Sequence, residues 1–345
     1  MRSLIPYWTI VSLAFLGSTV SAAPGDDIYT RPGLIAPARD GARLNFTCLG
    51  SGSPTVVLDA GWSDWAPAWA VVQPRIAAFT RTCAYDRAGS GFSDPGPLPR
   101  TTERIATELH DALSAGRIDG PYILVGSAYG GDHVHAFADL FPSDVAGLVL
   151  VDADASDVDT PENRADDDSG DLSYVPQLKL CRDAIANGDI TFALPSPPGR
   201  SPRICAQQFF RGLPEGEWSP ELNARLLDIT QHKVAMWVSI MSEMEEMPAD
   251  EIWLQEHRTS LGATPVRILT SGNHGVGHID RPPPVSLDHL KYEYDRALAQ
   301  SHWLGLSTDS KQIFATHSSE YIQFDDPNTV VTAIREVYDK TKTPR

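Results

Sequence analysis

The sequence has little positive charge. Its 28 lysine and arginine residues stand against 45 aspartate and glutamate residues, which gives a formal net charge of -17. Nucleic-acid binding requires basic patches that contact phosphates, and the sequence has none. The same charge sign disfavours contact with an anionic membrane surface. We therefore expect no nucleic-acid partner, and we predict a small-molecule ligand or substrate instead.

Long apolar runs are also missing from the sequence after the amino-terminal segment. No later stretch approaches the roughly 18 apolar residues that a membrane-spanning helix needs. At the amino terminus, Arg2 precedes a mostly apolar stretch at residues 4–16, and small residues surround Ala22. This pattern predicts a signal peptide over residues 1–22, with Ala23 as the first mature residue. A membrane anchor is the alternative, but this apolar core is short for one.

Cysteine is scarce, and the signal peptide explains how the few cysteines are used. The chain has four, with no CxxC pair, which argues against a redox motif or a zinc ribbon. Export to the periplasm or the extracellular medium implies an oxidising compartment, where disulfides persist. We predict the bridges Cys48–Cys83 and Cys181–Cys205. Four free buried thiols are the alternative.

Buried strands alternate with helices along most of the chain. Apolar runs with flanking turn residues predict strands, and apolar residues at helical spacing predict the helices between them. The predicted strands include residues 55–59, 81–86, 122–126, 145–152, 266–271 and 312–316. Such alternation indicates a mostly parallel sheet with helices on both faces.

The alternation stops between residues 155 and 262. This region opens with an acidic loop at residues 159–171 and continues with helices. The longest predicted helix spans residues 220–246, with an apolar side that includes Leu226 and Trp237. An inserted helical region of this kind is expected to lie over the carboxyl edge of the sheet, where its apolar side either forms core or lines a pocket.

A tight glycine-flanked turn joins a predicted strand to a helix at Gly126-Ser127-Ala128-Tyr129-Gly130-Gly131. This context resembles the nucleophile elbow of the α/β-hydrolase family. The resemblance also rests on residues 55–62, 85–94, 149–152 and 318–327, and it covers about residues 33–155 and 262–342. It implies an α/β-hydrolase fold with a helical cap insertion. It also places the segments of Cys48 and Cys83 side by side.

The resemblance divides the chain into four segments. Residues 1–22 form the signal peptide, 23–154 the first part of the hydrolase core, 155–262 the helical cap, and 263–345 the second part of the core. No cofactor is expected.

The catalytic positions of the family are replaced in this sequence. Ala128 occupies the nucleophile position and Glu320 the histidine position, while residues 272–275 offer no carboxylate for the acid. Ser127 is one residue early, and a shift of one residue at a strand end points its side chain the other way. Loss of the serine or histidine of a triad lowers turnover by about 10⁶-fold, which disfavours an ordinary serine esterase.

Parts of a reaction site are nevertheless expected to persist. The family's oxyanion hole uses backbone N–H groups, which the resemblance assigns to Trp62 and Tyr129. Glu320 under an apolar cap is a candidate general acid or base, and His317 is a second candidate for the base. A solvated or salt-bridged Glu320 and a loop histidine at position 317 are the alternatives.

Three functional hypotheses follow. The first is an exported pseudo-hydrolase that binds a small apolar or amphipathic ligand under the cap. The second is an enzyme without a serine nucleophile, which uses Glu320 or His317 with the backbone oxyanion hole. The third is a family-type esterase or hydrolase, which Ala128 disfavours.

Other polar residues are predicted at the carboxyl edge of the sheet. We expect no metal site. A site formed by the pairs His133/His135 and His274/His278, together with Asp132 and Glu320, is the alternative. Asp152 and Asp154 end a predicted strand and are expected to be structural, with a displaced triad acid as the alternative. Asp86 and Arg87 are expected to pair with each other.

Overall fold

The computed structural model describes residues 26–155, 172–195, 201–209, 218–273 and 286–342. The predicted signal peptide, the acidic loop at 159–171, His274 and His278 lie outside the described residues. No helix in the described ranges combines the length and the apolar character needed to cross a membrane.

An eight-stranded sheet forms the centre of the described structure. Its strands lie in the order β1-β2-β4-β3-β5-β6-β7-β8. The bounds are β1 Leu34–Pro37, β2 Arg43–Leu49, β3 Thr55–Asp59, β4 Thr82–Asp86, β5 Tyr122–Ser127, β6 Val145–Val151, β7 Val266–Ser271 and β8 Ser310–Ala315. Strand β2 pairs antiparallel with both of its neighbours, β1 and β4. All the other neighbouring strands of the sheet, from β4 across to β8, pair in parallel. This confirms the predicted mostly parallel sheet.

Helices cover both faces of this sheet. Their bounds are α1 Gln73–Ala77, α2 Thr102–Ala115, α3 Gly130–Leu140, α4 Val175–Ala186, α5 Cys205–Phe209, α6 Pro220–His232, α7 Val234–His257, α8 Leu287–Ser301, α9 Ile322–Asp325 and α10 Pro327–Lys342. Alternate residues of β3 belong to two hydrophobic cores. Val56 and Leu58 pack with α1 and α10, whereas Val57 packs with α2 and α3. Burial on both faces explains why the centre of this strand, residues 56–58, is apolar.

Helices α4 to α7 lie between β6 and β7 in sequence, in the region predicted to form the cap. The prediction of one helix over residues 220–246 is wrong, because the helix breaks at Lys233 into α6 and α7. At this break the ammonium group of Lys233 donates to the carbonyl oxygens of Ser90, Gly91 and Ser93. These contacts hold the cap against the loop after β4. Burial lowers the pKa of Lys233 to about 8.

Both predicted disulfides are present. Cys48 and Cys83 face each other directly in the register of β2 and β4, with their Cα atoms 4.1 Å apart. Cys181 of α4 joins Cys205 at the start of α5, with a Cα separation of 5.6 Å. One bridge therefore links two strands of the core, and the other links two helices of the cap region.

Candidate functional site

The turn between β5 and α3 has the strained backbone expected of an elbow. Ala128 has φ of 45°, in the left-handed region. An L-residue adopts that region at a cost of roughly 1–2 kcal/mol. The Ala128 amide donates to the Val151 carbonyl over 3.2 Å, and the Gly131 amide donates to the Ala128 carbonyl over 2.8 Å. The turn thus presents the methyl group of Ala128 at the position that the resemblance assigns to the nucleophile.

Two glycines allow this turn to pack tightly. A Cβ atom at Gly126 would lie 2.3 Å from the carbonyl oxygen of Gly130, and one at Gly130 would lie 2.4 Å from that of Ala60. No side chain fits at either position. The close approach brings the elbow against the loop that follows β3. A methyl group placed on Gly61 of this loop would lie 3.4 Å from the Cβ atom of Ala128.

The side chain of Trp62 is directed into the cap. Its indole N–H donates to the carbonyl of Ile240 in α7 over 2.9 Å, and its ring packs edge-on against Phe209 of α5. The backbone of the loop is therefore what borders the elbow. Tyr129 lies at the amino end of α3. Amides at that end of a helix have no acceptor within the helix, so the Tyr129 N–H is not used by α3 itself.

Arg87 fixes the orientation of the loop backbone. Its guanidinium donates to the carbonyl oxygens of Ala60 over 2.7 Å and Gly61 over 2.8 Å. The N–H and C=O groups of a trans peptide point in opposite directions. Because the Gly61 carbonyl points at Arg87, the N–H of Trp62 in the same peptide points away from it. The role of this N–H as an anion-hole donor stays a prediction.

Two buried carboxylates hold Arg87 in place. It contacts Asp59 over 2.9 Å and Glu243 over 3.3 Å, and the three side chains are at most 1% exposed. The expected pairing of Asp86 with Arg87 is wrong. Asp86 instead accepts hydrogen bonds from the backbone amides of Ala66 and Phe92. Arg87 thereby joins the sheet, the loop after β3 and cap helix α7.

Asp59 carries further hydrogen bonds beneath the elbow. It accepts from the hydroxyl of Tyr85 over 2.5 Å and lies 3.2 Å from Nδ1 of His133. Burial alone would raise the pKa of Asp59, but His133, Arg87 and Tyr85 together hold it below its ordinary value. Asp59 is therefore ionised and balances the charge of Arg87.

A second buried contact links α7 to the elbow. The hydroxyl of Tyr129 and the backbone amide of Thr102 each donate to Asp250 over 2.9 Å. Burial raises the pKa of Asp250 to about 6. Asp250 follows Glu243 by two helical turns, so one face of α7 makes both contacts with the core.

The two predicted acid/base candidates lie in the segment between β8 and α9. Glu320 is half-buried, and His317 is exposed to solvent. The amide of Asn273, just after β7, donates to the carbonyl of Ser318 over 3.1 Å, which attaches this segment to the carboxyl edge of the sheet. The catalytic roles of Glu320 and His317 stay predictions.

The remaining polar candidates have other surroundings. Ser127 is buried as the last residue of β5. Asp152 forms a buried ion pair with Arg296 at 2.6 Å and accepts from Ser271, which agrees with a structural role. Within the described ranges, no group of three or more histidine, cysteine, aspartate or glutamate side chains is arranged to hold a metal ion. His133 contacts Asp59 instead.

The Arg87 cluster is the part of the site that the sequence does not reveal. Asp59, Arg87 and Glu243 come from three distant segments. The segments of Asp59 and Arg87 carry the family resemblance, but neither indicates a contact with Glu243. A basic residue directly after a buried strand is a weak signal for a buried ion pair. It gives no indication of the partner.

Comparison with known proteins agrees with this architecture. Residues 54–177 match a family model described as the alpha/beta hydrolase fold. A 2-hydroxy-6-oxo-2,4-heptadienoate hydrolase of Pseudomonas putida is 34% identical over 120 residues, which is 33% of this chain and 42% of that protein. The chain spans between 20% and 42% of the length of the curated relatives it matches.

Solved structures align over nearly the whole chain. An esterase from Thermogutta terrifontis has a TM-score of 0.55 at 20% identity, covering 91% of this chain and 100% of the other. The epoxide hydrolase CorEH has a TM-score of 0.59 at 15% identity, covering 90% and 99%. Identities this low report on the fold alone. Together with the elbow and the family match across it, they establish that this chain has the α/β-hydrolase fold.

Proposed function

We propose that this protein is an exported pseudo-hydrolase, which binds a small apolar or amphipathic carbonyl compound at the elbow under the cap and does not form a covalent intermediate with it. The observation that carries the proposal is Ala128 in a strained elbow with φ of 45°. The backbone of a nucleophile elbow is retained there, but its side chain has no nucleophilic atom.

The placement of two backbone amides supports a binding role. Arg87 orients the peptide that carries the Trp62 amide, and the Tyr129 amide lies at the amino end of α3. Donors of this kind accept a carbonyl oxygen in the ground state as well as an oxyanion. The two disulfides support export.

The first experiment separates binding from turnover. The purified mature protein is incubated with 4-nitrophenyl butyrate, a lactone and an epoxide, and in parallel with a fluorophosphonate probe. We expect saturable binding of the ester by calorimetry, no release of nitrophenol above the buffer rate, and no labelling. Labelling by the fluorophosphonate would overturn the proposal and identify a serine nucleophile, with Ser127 as the first candidate.

The second experiment tests where the ester binds. A methyl group on Gly61 would contact Ala128 at an ordinary 3.4 Å, so Gly61→Ala fills the space above the elbow without a clash. We expect Gly61→Ala to weaken ester binding at least tenfold at unchanged thermal stability. The matched ligand is butyl 4-nitrophenyl ether, which lacks the carbonyl and should bind more weakly than the ester. Equal binding of ester and ether would contradict a role for the anion hole.

The enzyme alternative gives a different result in the same assays. If Glu320 acts as a general acid or base, the protein turns over one of the substrates and Glu320→Gln abolishes that turnover. In a pseudo-hydrolase, Glu320→Gln leaves ligand binding largely intact. Ala128→Ser is measured alongside, and we expect no esterase activity from it, because position 320 carries no histidine to deprotonate the new serine.

A further inference from the structure

A cleft of about 270 Å³ opens between the loop after β3 and the cap helices α5 and α6. Its floor is formed by the turn that begins at Asp64 and Trp65, and its walls include Ala206, Trp218 and Leu226. The volume is close to the lower end of the roughly 300–1,000 Å³ that is usual for small-molecule sites. The cleft therefore suits a molecule about the size of a single substituted ring.

Two polar groups of the cleft could determine which ligand binds, because one is an anionic acceptor and the other is a neutral donor. Asp64 is the one charged side chain among the described residues that line it. The indole N–H of Trp218 is buried and has no acceptor in the described parts of the chain. A buried donor without a partner destabilises the protein, and an acceptor on a ligand would remove that cost. The cleft thus offers one anionic acceptor and one unsatisfied donor, among apolar side chains and the neutral polar side chains of Gln207, Asn223 and Thr230.

We propose that this cleft binds a small aromatic amine, with its ammonium group on Asp64 and its ring against the indole and aliphatic side chains. A carboxylate has about four acceptor positions, so Asp64 can accept from an ammonium group beside the contacts it already makes. Indole rings also attract cations. A polar oxygen on the ligand accepts from Trp218.

The charge of the whole protein favours the same ligand class. With 45 acidic and 28 basic side chains, the chain attracts cations and repels carboxylates at neutral pH. An anionic ligand would also have to approach Asp64 in a cleft whose described lining contains no basic side chain. An amine meets neither obstacle.

The cleft adjoins the elbow, but its ligand does not depend on the function proposed for the elbow. The Asp64 carboxylate lies 3.9 Å from the position of a methyl group on Gly61. Loop residues 61–65 thus border both sites, the elbow through Gly61 and the cleft through Asp64. Each site can be tested with its own ligand.

The test compares three ligands with the same ring. Tyramine carries an ammonium group, tyrosol a neutral hydroxyl, and 3-(4-hydroxyphenyl)propanoate a carboxylate. Binding to the mature protein is measured by calorimetry at pH 7 and low ionic strength, because salt screens the charge contact. We expect tyramine to bind about tenfold more tightly than tyrosol, and the carboxylate not to bind. Equal binding of tyramine and tyrosol, or no binding of tyramine, overturns the proposal.

Variants assign the binding to the cleft. Asp64→Asn keeps the shape of the side chain and should weaken tyramine about tenfold while leaving tyrosol unchanged. Asp295→Asn, at an exposed position on α8, is the matched control and should change nothing. Asn223→Trp at an exposed position of α6 should block the cleft without disturbing the core. Full tyramine affinity in Asp64→Asn or in Asn223→Trp refutes the assignment.

Ester binding is measured on the same samples. In the unmutated protein, absence of tyramine binding together with binding of 4-nitrophenyl butyrate defeats the amine site alone. Loss of ester binding with tyramine binding retained defeats the function proposed for the elbow and leaves the amine site standing.

Discussion

The guanidinium of Arg87 donates a hydrogen bond of 2.8 Å to the carbonyl oxygen of Gly61, in the peptide that carries the N–H of Trp62. A core arginine therefore orients one donor of the candidate anion hole from behind. The same guanidinium contacts Glu243 of the cap helix α7. The position of the cap and the orientation of the anion hole thus depend on one buried side chain.

Replacement of Glu243 tests this link. Glu243→Gln keeps the size of the side chain but removes one of the two buried negative charges that face Arg87. Buried ion pairs are costly to break from one side. Because Asp59 still balances the arginine, we expect the free energy of unfolding to fall by about 1–3 kcal/mol. The measurement is the midpoint of urea unfolding at unchanged slope.

The matched control lies two residues along the same helix. Glu245 is exposed, and Glu245→Gln should change stability by no more than about 0.5 kcal/mol. If Glu243→Gln and Glu245→Gln lower the free energy of unfolding equally, the loss comes from a change in α7 itself and the contact between Glu243 and Arg87 does not stabilise the protein. Ester affinity, measured in parallel, should fall in Glu243→Gln alone.

Asp250 predicts a pH dependence of stability. Its pKa is about 6 in the folded protein, raised by burial, against an ordinary value near 4. Between these values the folded state binds more protons than the unfolded state, so the free energy of unfolding falls as pH rises through this window. Asp250→Asn removes this titration. Between pH 4 and pH 7, we expect the free energy of unfolding of the wild type to fall by about 2 kcal/mol more than that of Asp250→Asn.

The comparison isolates Asp250 because all other titrating groups are shared by the two proteins. Urea unfolding at pH 4, 5, 6 and 7 gives both curves. Parallel curves would show that Asp250 does not change its protonation in this range. The amide that Asp250→Asn introduces retains one oxygen as an acceptor for Tyr129, so the fold is expected to persist.

The packing of the elbow predicts a sharp difference between two glycines. In Gly130→Ala the new methyl group would lie 2.4 Å from the carbonyl oxygen of Ala60, so the backbone of the elbow or of the loop must shift. Overpacking of this kind costs about 1–3 kcal/mol, occasionally more. In Gly305→Ala the new methyl group faces open space, so the free energy of unfolding should differ from that of the wild type by no more than about 0.5 kcal/mol. Thermal unfolding of both variants checks this, and a neutral Gly130→Ala would contradict the packing.

Local sequence patterns predict much of this fold for physical reasons. Residues 56–58 are apolar because β3 is buried on both faces, so the strand is evident from its own sequence. The elbow is evident because its glycines follow from the close approach of two backbones. Both patterns are contained in a few consecutive residues.

Long-range contacts explain what the sequence does not predict. Arg87 and Glu243 are 156 residues apart, and only the folded chain brings them together. The helix break at Lys233 has the same origin, since the pattern of apolar residues runs through it and the three carbonyl acceptors lie in a distant loop. Tertiary contacts of this kind override local periodicity.

The disulfide between β2 and β4 predicts a measurable loss on removal. Cys48 and Cys83 close a loop of 35 residues, for which the chain-entropy estimate is about 4 kcal/mol, with about 2–4 kcal/mol usual in practice. We expect the free energy of unfolding of the double variant Cys48→Ala/Cys83→Ala to fall by that amount, since its unfolded chain is less constrained. The measurement is urea unfolding. As a control, Cys181→Ala/Cys205→Ala removes the bridge with a separation of 24 residues and should cost slightly less. A core variant as stable as the wild type would show that the bridge does not constrain the unfolded chain.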